Sequence, residues 1–218
     1  MTFQAVVVGS DGLIVGSDRK IANYLPNLGE TQSYPQFDEQ CKFIPDGDGP
    51  VICAWSGGQG AQKIARKIVL ESEPGAGNLE WETYLDHLAA EAQECVLDQV
   101  IVVRKNCLDH AVRLTMAQGK RGYAARIEGK MCVGVSAKAS FLIEHFSRKI
   151  PVSALKRLVI LTLNYGVTEF STYVGDGYDL RIVNKDGVEL EHYPVDDERV
   201  LEIRKSFDDA VGKVLFPV

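Results

Sequence analysis

The feature that most constrains the fold is a series of short β-prone segments paired around glycine-containing turns. Two such segments around a short turn are typical of an antiparallel hairpin. The three pairs are Thr2–Val8 with Leu13–Ser17, Cys41–Ile44 with Val51–Trp55, and Asp179–Val183 with Val188–Tyr193. Hairpins, rather than strictly alternating strands and helices, predict antiparallel sheets.

The helical patterns are grouped between the runs of strands. A helix is predicted directly after Gly58, because Ile64, Ile68 and Val69 recur at helical spacing. Further helices are predicted from about Asn78 to Val96, over Ala137–Arg148, from Pro151 to about Tyr165, and in the C-terminal DDERVLEIRKSFDDAVGKVLF. Further strands are predicted over Val100–Arg104, Ala111–Met116, Gly122–Ile127 and Met131–Val135, and a loop over Ile21–Gln40. Grouped helices indicate layers outside the sheets.

The composition is that of an ordinary globular domain. With 218 residues, 45% of them hydrophobic and 25% charged, the chain can bury one sizeable core without disulfides. The formal net charge of −6 argues against nucleic acid or an anionic membrane as partner. No signal peptide and no apolar run of about 20 residues is recognised, so a cytoplasmic protein is predicted.

The cysteines and histidines give no sign of a metal or cofactor. The five cysteines are scattered and form no CxxC pair, which is typical of core thiols in a reducing compartment. His87, His110, His145 and His192 lie far apart in the sequence, and no metal-ligand spacing links them. No cofactor and no metal is therefore predicted.

The first hairpin brings a hydroxyl and a carboxylate to one end. Thr2 lies nine residues before Asp11 and Asp18 lies seven after it. Because the chain turns near Asp11, both residues should lie at the end of the hairpin away from the turn. Asp18 could equally belong to a surface ion cluster with Arg19 and Lys20.

The glycines ahead of the first predicted helix have two interpretations. Gly57 and Gly58 open this helix, and backbone N–H groups at a helix N-terminus attract anions. A tight strand-to-helix turn explains the same residues equally well.

Taken together, the element order resembles that of the proteasome β-subunit and of the related bacterial HslV peptidase, which are N-terminal nucleophile hydrolases. The stretches that carry the resemblance are TFQAVVVGSDGLIVGSDRK, KFIPDGDGPVICAWSGGQGAQKIARKIV, VGVSAKASFLIEHF and GDGYDLRIVNKDGVELEHY. The resemblance implies an α+β fold, a four-layer αββα sandwich of two antiparallel sheets flanked by helices. It also implies a single domain over residues 1–218 and assembly into a ring or other homo-oligomer.

The same resemblance implies the roles of the candidate catalytic residues. Thr2 matches the family's nucleophile, which becomes N-terminal once Met1 is removed, and its own α-amine then serves as the base. Asp18 matches the carboxylate of the first strand pair. Gly57 and Gly58 match the pair whose backbone N–H groups form the oxyanion hole.

The resemblance also implies polar residues that this sequence does not supply at the matching positions. The family has a catalytic lysine on the strand before CKFIP, but the corresponding stretch SYPQFDEQ contains none. Lys20 and Lys42 are the nearest lysines, and both are predicted to be out of register. Val135 or Ser136 matches a family serine, and Ser171 and Val174 match a late aspartate and serine. The family catalytic set is therefore predicted to be incomplete.

Three functional hypotheses follow from this pattern. The first is an N-terminal threonine hydrolase that acts on a peptide or amide. The second is a non-catalytic subunit of the same fold that serves as a scaffold or binding module, as the missing lysine would suggest. The third is an amidohydrolase that acts on a small molecule.

Overall fold

The first sheet contains the N-terminal hairpin. The computed structural model describes residues 2–24, 35–72, 97–117, 122–133, 143, 150–169, 177–194 and 196–215. The sheet has the strand order β10-β1-β2-β11-β12, and every neighbouring pair is antiparallel. Its strands are β1 (Gln4–Val8), β2 (Gly12–Asp18), β10 (Lys130–Val133), β11 (Gly177–Asn184) and β12 (Gly187–Pro194). The predicted first and last hairpins both lie in this sheet.

The second sheet has the strand order β5-β6-β7-β8-β9 and is also antiparallel. Its strands are β5 (Phe43–Ile44), β6 (Val51–Ser56), β7 (Leu97–Arg104), β8 (Ala111–Ala117) and β9 (Tyr123–Ile127). A separate two-stranded sheet pairs β3 (Lys20–Tyr24) with β4 (Pro35–Glu39). The prediction of a loop over Ile21–Gln40 is therefore wrong where these strands lie, because pairing with each other orders segments that show no hydrophobic period.

Among the described residues, two helices lie on the side of the first sheet and one on the outer face of the second. These are α1 (Gln59–Glu71), α2 (Val152–Glu169) and α3 (Glu198–Leu215). The first helix begins directly after Gly58, as predicted. The second runs beyond the predicted end at Tyr165, because Val167 still packs into the core. The helices predicted from Asn78 and over Ala137–Arg148 lie outside the described residues, apart from Ile143, which is helical.

Three clusters of buried apolar side chains hold the described elements together. Along β1, Ala5 and Val7 pack toward α2, whereas Val6 and Val8 pack toward the other sheet. Successive side chains of a strand point to opposite faces of the sheet. Because both faces of β1 are covered, the whole strand is buried. The third cluster lies between α1 and the second sheet. The predicted four-layer αββα sandwich is thus confirmed.

In the part of the chain that the structure describes, no helix has both the length and the apolar character needed to cross a membrane.

The N-terminus is fixed by a close contact between Phe3 and α2. A Cβ added at Gly166 would lie 2.7 Å from the Cδ1 and Cε1 atoms of the Phe3 ring. We expect Gly166→Ala to lower the free energy of unfolding by about 1–3 kcal/mol, because the ring must shift within a close-packed core. Urea unfolding would measure this change. Gly47→Ala is the matched control, since a Cβ there meets nothing within 4 Å, and an equal loss in both variants would contradict the account.

Candidate active site

The hydroxyl of Thr2 lies beside a buried ammonium group. Thr2 precedes β1 and is half-buried. Its Oγ1 accepts a hydrogen bond of 3.1 Å from Nζ of Lys42. Since this bond uses a lone pair of the oxygen, the hydroxyl proton stays available for a base.

Asp18 lies at the end of β2, directly beside Thr2. The register of β1 and β2 pairs Gln4 with Ser17, so Thr2 and Asp18 lie at the same end of the hairpin. Asp18 is fully buried, and its Oδ1 accepts hydrogen bonds from Lys42 Nζ at 2.8 Å and from the backbone N–H of Phe3 at 2.9 Å. Its Oδ2 accepts the backbone N–H of Lys20 at 3.1 Å. The carboxylate therefore fixes both the N-terminal backbone and the cation.

Lys42 is the cation that links these two residues. Its side chain is only 1% exposed, and it immediately precedes β5. Burial lowers the pKa of its ammonium group, while the charge of Asp18 and their hydrogen bond act in the opposite direction. The prediction that Lys42 is out of register is wrong. Its backbone carbonyl accepts the N–H of Trp55, which extends the pairing of β5 with β6 and directs the side chain toward Thr2.

A sequence signal for Lys42 did exist. It lies within the apolar β-prone run Cys41–Ile44, where a lysine has to be buried unless it is at an edge. Buried lysines are rare unless they are paired, so this position already indicated an acidic partner.

Arg19, the other cation next to Asp18, is directed elsewhere. Its Nη1 contacts both carboxylate oxygens of Asp179, at 3.0 and 2.8 Å. His192 Nδ1 lies 2.9 Å from Oδ1 of the same carboxylate. Arg19 therefore belongs to a neighbouring ion cluster, and Lys42 is the cation that compensates Asp18.

Gly57 and Gly58 form the turn between β6 and α1. Gly57 has a φ of 107°, which a residue with a side chain adopts only with strain. Gly58 is the N-cap of α1. The positive end of the helix dipole is therefore directed at the turn.

A buried amide network connects this turn to the threonine. Gln4 Nε2 donates to the backbone carbonyl of Trp55 at 3.1 Å, and Gln99 Nε2 donates to Gln4 Oε1 at 2.9 Å. Gln4 lies two residues after Thr2, and Trp55 lies two residues before Gly57. The network thus ties the N-terminal end of β1 to the end of β6 that carries the glycines. Val135, Ser136, Ser171 and Val174 lie outside the described residues.

Comparisons of the sequence alone find no relative. No family model matches the chain, and no curated protein matches it.

Comparison of structures does find similar proteins. Anbu, described as an ancestral beta-subunit, from Yersinia bercovieri has a TM-score of 0.70 at 13% identity, over 99% of this chain and 97% of that one. The Gly-1 mutant of Anbu from Hyphomicrobium sp. strain MC1 has a TM-score of 0.69 at 13% identity, over 99% and 98%. This chain shares the fold of these solved structures. Anbu from Pseudomonas aeruginosa, solved as a helical assembly, has a TM-score of 0.70 at 12% identity, over 99% and 96%.

These findings correct the resemblance drawn from the sequence. It named the proteasome β-subunit and HslV, with a divergent active site, but no family model supports that assignment. The similar structures above are Anbu proteins, and at 12–13% identity they show the fold alone. Within the described residues, Lys42 nevertheless contacts both Thr2 and Asp18.

Proposed function

We propose that this chain is an N-terminal threonine hydrolase that cleaves a peptide or amide bond, with Thr2 as the nucleophile after removal of Met1. The observation that carries the proposal is the continuous contact from the Thr2 hydroxyl through Lys42 to Asp18. A buried lysine and aspartate cost folding free energy unless they are paired. Their position against a half-buried N-terminal hydroxyl supports a catalytic use of that pair.

The chemistry of such a site follows from the roles of these groups. Removal of Met1 frees the α-amine of Thr2, and α-amines in general have a pKa of about 8, which suits them to accept a proton near neutral pH. As Oγ1 attacks the scissile carbonyl, its proton passes to that amine, and Lys42 stabilises the negative charge that develops on the oxygen. Asp18 keeps Lys42 charged and in place. The C–N bond of the tetrahedral intermediate then breaks, and the leaving nitrogen takes the proton from the α-ammonium group and departs as an amine. Water hydrolyses the remaining acyl-enzyme ester, which releases the carboxylic acid and restores the Thr2 hydroxyl.

The glycine turn has a role in the same proposal. The tetrahedral intermediate places negative charge on the former carbonyl oxygen. Backbone N–H groups of Gly57 and Gly58, at the positive end of α1, would stabilise that charge. Support for this role comes from the positive φ of Gly57 and from the contacts that tie β6 to β1.

The scaffold hypothesis loses its main argument. It was motivated by a missing lysine, and Lys42 supplies an ammonium group at the hydroxyl. The shape of the substrate cleft decides between a peptide and a small-molecule amide.

We further propose that the chain is one domain and self-associates. The Anbu protein of Pseudomonas aeruginosa forms a helical assembly. Leu70, near the end of α1, is 71% exposed, and a large apolar side chain in that position suits a contact between subunits. Light scattering should give a mass of several chains at micromolar concentration, and a stable monomer would contradict the proposal. A cytoplasmic location stays a prediction from the sequence.

Hydrolysis assays with Thr2 variants test the proposed activity. Fluorogenic peptides of varied sequence and a panel of small amides would be incubated with the wild-type chain, Thr2→Ser and Thr2→Ala. We expect cleavage by the wild type, reduced but measurable cleavage by Thr2→Ser, and loss of at least about a thousandfold in Thr2→Ala, which has no nucleophile. Equal activity of Thr2→Ala and wild type would contradict the proposal.

A further inference from the structure

A second group of reactive side chains lies in the turn that joins β7 to β8. The segment Cys107-Leu108-Asp109-His110 brings a sulfur, a carboxylate oxygen and an imidazole nitrogen within 4.8 Å of one another. His110 Nδ1 lies 3.1 Å from Cys107 Sγ and 2.8 Å from Asp109 Oδ1. Cys107 Sγ lies 3.3 Å from the same carboxylate oxygen. The spacing of the histidines alone gave no indication of this cluster.

This turn lies far from Thr2. In the pairing of β6 with β7, Val51 is opposite Arg104 at the end near the turn, and Ser56 is opposite Gln99 at the end near the threonine. Five residues of strand separate the two ends by about 17 Å. The cluster therefore has no part in the proposed hydrolysis.

The hydrogen bonds of His110 Nδ1 cannot all be satisfied by one form of the ring. Arg126 Nη2, which can only donate, lies 3.0 Å from Nδ1, whereas the carboxylate of Asp109, which can only accept, lies 2.8 Å from it. If Nδ1 carries a proton, it can donate to Asp109 but cannot accept from Arg126. If it carries none, it can accept from Arg126 but cannot donate to Asp109. A cation that accepts the lone pairs of nitrogen, oxygen and sulfur together resolves this conflict.

A catalytic Cys–His–Asp site fits the geometry less well. The thiol and the carboxylate both approach Nδ1, so the carboxylate does not orient the ring from the opposite nitrogen as a triad requires.

We propose that Cys107, Asp109 and His110 bind a Zn²⁺ ion, with a fourth position open to water. Thiolate, imidazole and carboxylate are ligands that zinc takes in tetrahedral sites, and the ion displaces the thiol proton. In a tetrahedral zinc site, neighbouring ligand atoms lie about 3.3–3.6 Å apart. The three side chains therefore need to move apart by only a few tenths of an ångström. Val102, Val112 and Arg104 line the small pocket beside Cys107 and His110.

Arg126 has to leave the histidine when the metal binds. Its side chain is 56% exposed, and its Nε already lies 3.5 Å from Oε1 of Glu128. The guanidinium can therefore turn toward Glu128 and away from the cation; it gives up its 3.9 Å contact with Asp109 Oδ2 and keeps Glu128 as a partner.

Titration with Co²⁺, a spectroscopic substitute for Zn²⁺, tests the site in the full chain without a histidine tag. We expect visible bands of tetrahedral cobalt, a thiolate-to-cobalt charge-transfer band in the near ultraviolet, and bleaching by about one equivalent of Zn²⁺. Cys107→Ser should remove the charge-transfer band, and His110→Ala should weaken binding at least about tenfold.

Two control variants separate this site from other metal-binding groups. Cys132→Ser removes a half-buried thiol of the first sheet, and His192→Ala removes a histidine that is paired with an aspartate in the same way. Both should bind Co²⁺ like the wild type. The proposal is overturned if the wild type shows no charge-transfer band, or if Cys107→Ser keeps it.

Discussion

Replacing Lys42 with methionine is expected to lower kcat/KM for peptide or amide hydrolysis by about a thousandfold. It should also lower the free energy of unfolding, because the buried Asp18 loses its ion pair with Lys42. Methionine fills nearly the same space but carries no charge. The hydroxyl of Thr2 loses the ammonium group 3.1 Å away, and the negative charge that develops on Oγ1 is no longer stabilised. Steady-state kinetics, with circular dichroism as a check on folding, measure the effect.

Lys105→Met is the matched control for this variant. Lys105 also contacts an aspartate at 2.8 Å, but both side chains of that pair are exposed. We expect it to change neither activity nor stability measurably, since exposed pairs contribute little. If Lys42→Met kept wild-type activity, Lys42 would have only a structural role.

Replacing Asp18 with asparagine is expected to lower the free energy of unfolding by about 3–5 kcal/mol, because Lys42 is left buried without its anionic partner. The same variant should lose most of its activity, since an amide no longer supplies the negative charge that pairs with Lys42 beside the nucleophile. Urea unfolding and hydrolysis assays measure the two effects separately.

Two further variants separate the structural from the catalytic role of the pair. Asp179→Asn alters another buried carboxylate with a cationic partner, Arg19, and should lower stability while keeping most activity. The double variant Asp18→Asn/Lys42→Met should be more stable than the sum of the single changes predicts, because neither group is left unpaired. It should remain inactive. Activity in the double variant would contradict a catalytic role for the pair.

The sheets and outer helices could be predicted because their patterns are local. The apolar segments around SDG, PDGDG and NKDG turns define hairpins, and the stripe of Ile64 and Ile68 defines α1. By contrast, β3 and β4 have no apolar alternation and exist through pairing with each other. Such non-local pairing cannot be deduced from either segment alone.

The candidate site was predicted in part for the same reason. Thr2 and Asp18 share one hairpin, so counting residues from the turn was enough to bring them together. Lys42 reaches them from the other sheet, through a packing of layers that sequence spacing does not define. The cluster of Cys107, Asp109 and His110 is local, yet it is recognised only when cysteine and aspartate are considered together with histidine.

The most direct test of the central claim is the intact mass of the protein after treatment with a peptide epoxyketone, a reagent that reacts with the hydroxyl and free α-amine of an N-terminal threonine. We expect the mass of a chain that lacks Met1 and carries one adduct, which peptide mapping locates at Thr2. Lys42→Met should react far more slowly. Quantitative retention of Met1, or an adduct on a cysteine and none on Thr2, would contradict the account.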